Sequence, residues 1–305
     1  MVSTSAGVQP ASRPESTPPA GRPGSPPELR PEHLNLEVSG PEGGQPVVLL
    51  HGWGSSAELM RPIAGALSDP AERGQAVRRV YNVDLPGHGH SPAPPAPWGV
   101  PEHADLVQRL IEERTEGPVT IVGHSNGGRI ALYMASETSM APLVRRLVLV
   151  APSGMTPLRT RGYYFRKSLA QTLKAPFDLL PPEFREPGLD WLRHSLAWRA
   201  LGSSDYRALD GVMRETFVKT VNCYLDERVA RIQVPCLVFW GDQDEAISRH
   251  QMDVLEQRIP DAGLVVLPGA GHYAYLDAPD VFSAATRYFL EHAQDRGEVV
   301  ENANL

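Results

Sequence analysis

One serine in this chain stands where its hydroxyl is equipped to act as a nucleophile. Residues 119–136 read VTIVGHSNGGRIALYMAS, a β-branched apolar run that breaks at Ser125 and resumes as a helical pattern. An alcohol is a weak nucleophile until a base takes its proton and the backbone presents its oxygen. The G-x-S-x-G arrangement addresses presentation: Gly123 and Gly127 leave room for a sharp strand-to-helix turn, and Gly128 lets the helix lie close to the strand. Alone, the pattern also fits an ordinary tight turn. The strand before it and the helix after it supply the setting that the chemistry requires. Other chemistries leave weaker traces. The two cysteines, Cys223 and Cys236, read as reduced core thiols because neither sits in an electropositive loop. No H-E-x-x-H or C-x-x-C spacing appears, so no metal is expected.

The elements around Ser125 alternate. Apolar β-rich runs at 34–38, 46–50, 79–85, 119–123, 145–151, 235–241 and 262–268 are separated by helical patterns, which is the βαβ signature of a mostly parallel sheet. Leu106, Leu110 and Ile111 mark one helical face, and Ile130, Met134 and Ala135 mark another. Near the end, Val281, Ala284, Ala285, Tyr288 and Phe289 fit a 3.6-residue period, with Pro279 suited to the first turn. The rhythm stops between 153 and 231, where helical segments follow one another. That stretch reads as an insertion, and from Ser153 to Leu225 it holds 11 Lys and Arg against 7 Asp and Glu. Residues 1–31 carry eight prolines and little to bury, the composition of a disordered leader. The expected organisation is therefore a leader at 1–31, a core at 32–152 and 232–295, and a helical insertion at 153–231.

Composition narrows the function classes. With 305 residues, 41% of them hydrophobic, the chain can fill a sizeable core, and its formal charge of −7 argues against a nucleic-acid binder. No apolar run reaches the ~20 residues of a membrane helix, and no secretory signal opens the chain, so no membrane insertion and a cytoplasmic location are expected. A small-molecule substrate is the expected partner; nothing in the pattern sets oligomeric state.

Four motifs in one order, LLHGWG (49–54), DLPGHGHS (84–91), GHSNGG (123–128) and GAGHYAYLDAP (269–279), each following a strand, identify a resemblance to the α/β-hydrolase superfamily over roughly residues 34–293. The resemblance implies a mostly parallel central sheet flanked by helices, with 153–231 as a helical lid. It further implies a nucleophile, acid, histidine order along the chain. Ser125 is the nucleophile and His272, in the glycine-flanked loop after the last strand, is the base. Asp242 and Asp244 both follow the strand 235–241, and the family pattern selects Asp244. Many relatives place a proline where Ser248 stands, a difference that touches loop geometry. The oxyanion donors implied are the backbone amides of Trp53 and Asn126. The Trp53 ring either lines the acyl pocket or packs beneath the insertion. His51, His88, His90 and His124 are expected to serve turns and packing, and His33, His103, His194, His250 and His292 to be solvated.

Within the lid, Tyr163, Tyr164, Phe165, Trp191, Trp198, Tyr206, Met213 and Phe217 suit an organic substrate or simply helix packing. Arg159, Arg161, Arg166, Lys167, Arg193 and Arg214 suit an anionic substrate or a solvated face. The activity implied is hydrolysis of a small carboxylic ester or thioester through an acyl-enzyme, with no cofactor. A serine in place of aspartate at position 125 sets aside the branches that form alkyl esters on a carboxylate. Carbon-carbon bond hydrolysis of a ring-fission product and ligand binding without turnover are the alternatives.

Overall fold

The computed structural model describes residues 28–69, 76–158, 209 and 211–293, together with scattered positions between 168 and 184. Its strands are β1 (Leu36–Ser39), β2 (Gln45–Leu50), β3 (Arg78–Val83), β4 (Val119–His124), β5 (Val144–Val150), β6 (Cys236–Gly241) and β7 (Ala262–Leu267). They form one sheet in the order β1-β3-β2-β4-β5-β6-β7. β1 runs antiparallel to β3 at one edge, and every other pairing is parallel. Each apolar run read from the sequence is thus a strand, with ends displaced by a few residues.

The helices are α1 (Ala57–Ser68), α2 (Val100–Arg114), α3 (Asn126–Ser136), α4 (Gly211–Val221), α5 (Arg249–Arg258), α6 (Ala274–Asp277) and α7 (Pro279–His292). None among the described residues is long and apolar enough to cross a membrane. Side chains of the strands alternate between two cores. Val48, Leu50, Val83, Ile121, Leu147, Leu149 and Val238 pack on the side of α2 and α3, whereas Val47, Leu49, Val80, Val122, Val148, Val150 and Phe239 pack on the side of α1 and α7. With both faces covered, the inner strands β2, β4, β5 and β6 have little polar side to show, which explains their apolar runs. The central strand β4 is buried at every residue.

Two sequence expectations need correction here, at the leader and at α7. Leu29 belongs to the buried core and Pro31 is buried in a short 3-10 turn. Packed chain therefore reaches upstream of the boundary set at 31; the rest of the leader, 1–27, lies outside the described residues. Near the two ends of the stretch read as an insertion, Met155, Leu225 and Val229 are core residues. In α7 the buried face is Phe282, Thr286 and Leu290, while Val281 and Tyr288 of the expected stripe are 53% and 67% exposed. The helix carries two apolar stripes, and the one holding Phe282, whose ring meets Phe239 with centroids 4.8 Å apart, wins the core.

Candidate active site

β4 delivers Ser125 at the carboxyl edge of the sheet, and α3 begins on the next residue. Ser125 has φ 49° and ψ −107°, a left-handed conformation on a residue that carries a Cβ. Such a conformation costs about 1–3 kcal/mol and persists only where its surroundings over-determine it. They do so here. The Ser125 N–H donates to the Val150 carbonyl at 3.0 Å, and its own carbonyl accepts from the N–H groups of Arg129 at 3.1 Å and Ser153 at 3.0 Å. The Ser153 hydroxyl donates to the same oxygen at 3.1 Å. The turn is also steric: a Cβ on Gly127 would stand 2.0 Å from the Leu50 carbonyl oxygen, and one on Gly123 would stand 2.7 Å from the Gly128 Cα.

The loop after β7 carries His272. Its Nδ1 lies 2.9 Å from Asp244 Oδ2, and Asp244 Oδ1 accepts the N–H groups of Ala246 at 2.8 Å and Ile247 at 2.9 Å. Burial alone would raise the Asp244 carboxyl; the hydrogen bonds from His272 and these two amides outweigh it and hold the pKa below the ordinary value. An ionised acceptor requires Nδ1 to donate, which leaves Nε2 as the ring's basic nitrogen. Asp242 makes no hydrogen bond to the ring among the described residues, and its Oδ1 accepts the Gly269 N–H at 2.8 Å. It fixes the loop, while Asp244 fixes the imidazole. Ser248, the departure from the family's proline, opens α5 and donates its N–H to Gln251 Oε1 at 3.1 Å.

Two braces on the histidine loop escaped sequence reading. Gly271 N–H donates to Asp277 Oδ2 at 2.8 Å, and His124 Nε2 lies 3.0 Å from the His272 carbonyl oxygen. Since a carbonyl only accepts, His124 Nε2 carries the proton, and its Nδ1 is buried without a partner. Burial, with the His272 ring beside it, pushes the His124 pKa down to about 3.

The LLHGWG loop is pinned in the same manner. The Leu85 N–H donates to His51 Nε2 at 2.9 Å, so His51 Nδ1 donates to the Gly52 carbonyl at 2.7 Å. Burial pushes the His51 pKa to about 4. Asp84 of the DLPGHGHS motif ties neighbouring loops together, accepting from Ala57 N–H at 2.6 Å, Asn35 Nδ2 at 2.8 Å and His90 N–H at 2.9 Å. His51 thus serves the turn, as the sequence suggested; the role of Asp84 was not read from it. His103 does not match its expectation: it is buried, with Nδ1 2.7 Å from the Gly99 carbonyl and its ring against Trp98. His194 lies outside the described residues.

These buried histidines make stability depend on pH. Burial lowers the pKa of His51, His88, His103 and His124 from an ordinary 6.5. The unfolded chain therefore takes up protons that the native state refuses as pH falls below about 6.5. The stabilisation is complete above that value and drains away as pH falls toward the lowered native values. At pH 5, His51 and His124 alone should each remove about 2 kcal/mol. Urea unfolding at pH 7.5 and pH 5 checks this; equal stability at the two would contradict it.

Ser125, His272, Trp53 and Asn126 line one cavity of about 510 Å³. His272 and Asp244 are paired, and among the described residues no hydrogen bond joins the Ser125 hydroxyl to the His272 ring. The backbone N–H groups of Trp53 and Asn126 donate to no described acceptor. The Trp53 ring answers both roles proposed for it, lining the cavity and meeting Phe217 of α4 edge-on at 5.1 Å. Met213 packs against the loop at Gly87, and Arg214 Nε donates to the Leu209 carbonyl at 2.8 Å. The other aromatic and basic residues picked from the insertion lie outside the described residues. Cys223 lies beyond α4 and Cys236 opens β6; both are free, and burial raises their pKa, which keeps them protonated. The cavity also holds Arg129 and Tyr273, neither singled out beforehand. The available signal for Arg129 was a lone charge in the otherwise uncharged helix NGGRIALYMAS.

Comparisons with known proteins agree with this architecture. The model of the alpha/beta hydrolase family matches residues 47–285. The pimeloyl-[acyl-carrier protein] methyl ester esterase of Neisseria meningitidis is 29% identical over 270 residues, 84% of this chain and 80% of that protein. The dihydrolipoyllysine-residue acetyltransferase component of the acetoin cleaving system of Pseudomonas putida is 28% identical over 82% of this chain, which spans 65% of that longer protein. Among solved structures, the enol-lactonase of Burkholderia xenovorans superposes with a TM-score of 0.61 at 22% identity, over 84% of this chain and 96% of that one. A family match across most of the chain, on a sheet of this order with a glycine-locked serine at its centre, establishes that the protein belongs to the alpha/beta hydrolase family.

Proposed function

We propose that this hydrolase cleaves a small organic carboxylic ester or thioester through a covalent acyl-enzyme on Ser125. The observation that carries the reading is the His272 imidazole, held by a buried carboxylate at the rim of the cavity that a strained Ser125 also enters. On this reading substrate binding closes the open contact between hydroxyl and ring. His272 Nε2 takes the hydroxyl proton as Ser125 Oγ bonds to the carbonyl carbon. The resulting oxyanion is met by the amides of Trp53 and Asn126, each worth about 3–4 kcal/mol to the transition state. Collapse breaks the bond to the alkoxide or thiolate, which leaves with the proton from Nε2. Water then gives its proton to Nε2, attacks the acyl carbon, and frees the acid and Ser125. Asp244 stays ionised throughout and stabilises the imidazolium. The segment 153–231 acts as the lid.

The esterase name carried by the Neisseria meningitidis relative supports an ester over other bonds. A rapid-mixing assay with p-nitrophenyl acetate, butyrate and octanoate tests the proposal. The expected result is a burst of p-nitrophenolate of one equivalent per chain followed by slower turnover, the mark of an accumulating acyl-enzyme. No release from any ester, together with bleaching of a ring-fission dienoate, would move the activity to carbon-carbon hydrolysis.

A further inference from the structure

α3 carries a single charge, Arg129, one helical turn beyond the nucleophile, and the fold buries it to 6% exposure. Its Nη1 donates to the Thr220 carbonyl of α4. Its Nε is buried without a partner, and among the described residues no carboxylate pairs with it. The Nε atoms of Arg78 and Arg228 are likewise buried without a partner, but both side chains reach a carboxylate: Arg78 meets Glu291 at 3.5 Å, and Arg228 pairs with Glu137. A guanidinium offers five donors, and burying one without an anion carries a penalty of several kcal/mol. Burial lowers its pKa to about 10, so it remains a cation at neutral pH.

Arg129 lines the same cavity as Ser125 and His272, and no aspartate or glutamate lines that cavity among the described residues. A cation left unpaired inside a reaction cavity is completed by an anion that arrives with the substrate. The Cα atoms of Ser125 and Arg129 lie about 6 Å apart along the helix axis, a distance spanned by a few carbons.

Building on the hydrolase reading above, we propose that Arg129 is a carboxylate subsite and that the preferred substrates are anionic esters, with a carboxylate a few carbons from the scissile carbonyl. The flat guanidinium fork suits a carboxylate gripped through two N–H groups. Nothing in this placement moves a proton. Arg129 binds and orients.

The test compares matched pairs. p-Nitrophenyl hydrogen glutarate against p-nitrophenyl valerate places the charge on the acyl side, and 4-carboxyphenyl acetate against phenyl acetate places it on the leaving group. For the wild type, kcat/KM of the anionic member of one pair should exceed that of its neutral partner by at least ~30-fold, and Arg129→Met should bring the ratio to one or below. Arg129→Lys, which keeps the charge but loses the fork, should retain part of the preference. A ratio near one in the wild type, or a ratio unchanged in Arg129→Met while both rates fall together, would overturn the subsite and leave a lid anchor only. Thermal stabilisation by free glutarate, expected in wild type and absent in Arg129→Met, reads the subsite without turnover. Glutarate stabilisation without hydrolysis of any ester would sink the hydrolase reading and spare the subsite; absence of both would end both.

Discussion

Replacing Ser125 with alanine should lower kcat on a p-nitrophenyl ester by about a millionfold, to the level that binding and oxyanion donors alone can sustain. The size follows from the role: without Oγ no acyl-enzyme forms, and His272 has no proton to move. The variant should fold, because the hydrogen bonds that lock position 125 come from its backbone: its N–H donates to Val150, and its carbonyl accepts from Arg129 and Ser153. Alanine inherits the positive φ and its cost. Ser125→Gly should therefore be equally inactive yet more stable, by about 1 kcal/mol or more, since glycine adopts that conformation freely. Turnover assays with urea unfolding of the three proteins separate these effects. A Ser125→Ala enzyme with turnover near wild type would remove Ser125 as nucleophile.

The second large effect distinguishes two aspartates two residues apart. Asp244→Asn should cost about 10⁴ in kcat, because an amide nitrogen turned toward His272 Nδ1 draws the opposite tautomer and leaves Nε2 protonated and unable to act as a base. Asp242→Asn should cost less than about tenfold: its oxygen can still accept the Gly269 N–H, and among the described residues no hydrogen bond joins it to the imidazole. Steady-state kinetics on the two variants decide the assignment. The reverse order would hand the orienting role to Asp242.

What could be read from the residues, and what could not, divides by the range of the interaction. The central strands were legible because they lie buried on both faces and so read as apolar runs. The turn at Ser125 was legible because its glycines answer to contacts made within a few residues or with the adjacent strand, as the 2.0 Å approach of a Gly127 Cβ to Leu50 illustrates. Long-range choices were not. The phase of α7 depends on which of two apolar stripes meets Phe239, and the burial of His103 depends on Trp98 and the helix start at Gly99. Arg129 was passed over because the partner that draws its guanidinium inward, the Thr220 carbonyl of α4, lies 91 residues later in the chain. Leu29 was lost for a related reason: a lone leucine among prolines shows no period, and only the core it joins identifies it.

The central claim is that His272 activates Ser125, and it is tested most directly by mapping where a fluorophosphonate attaches. Peptide mass spectrometry of the wild type should place a single adduct on Ser125, and the His272→Ala variant, folded to the same thermal stability, should label at least ~100-fold more slowly. An adduct on another residue, or labelling of Ser125 at an undiminished rate once His272 is gone, would contradict the account.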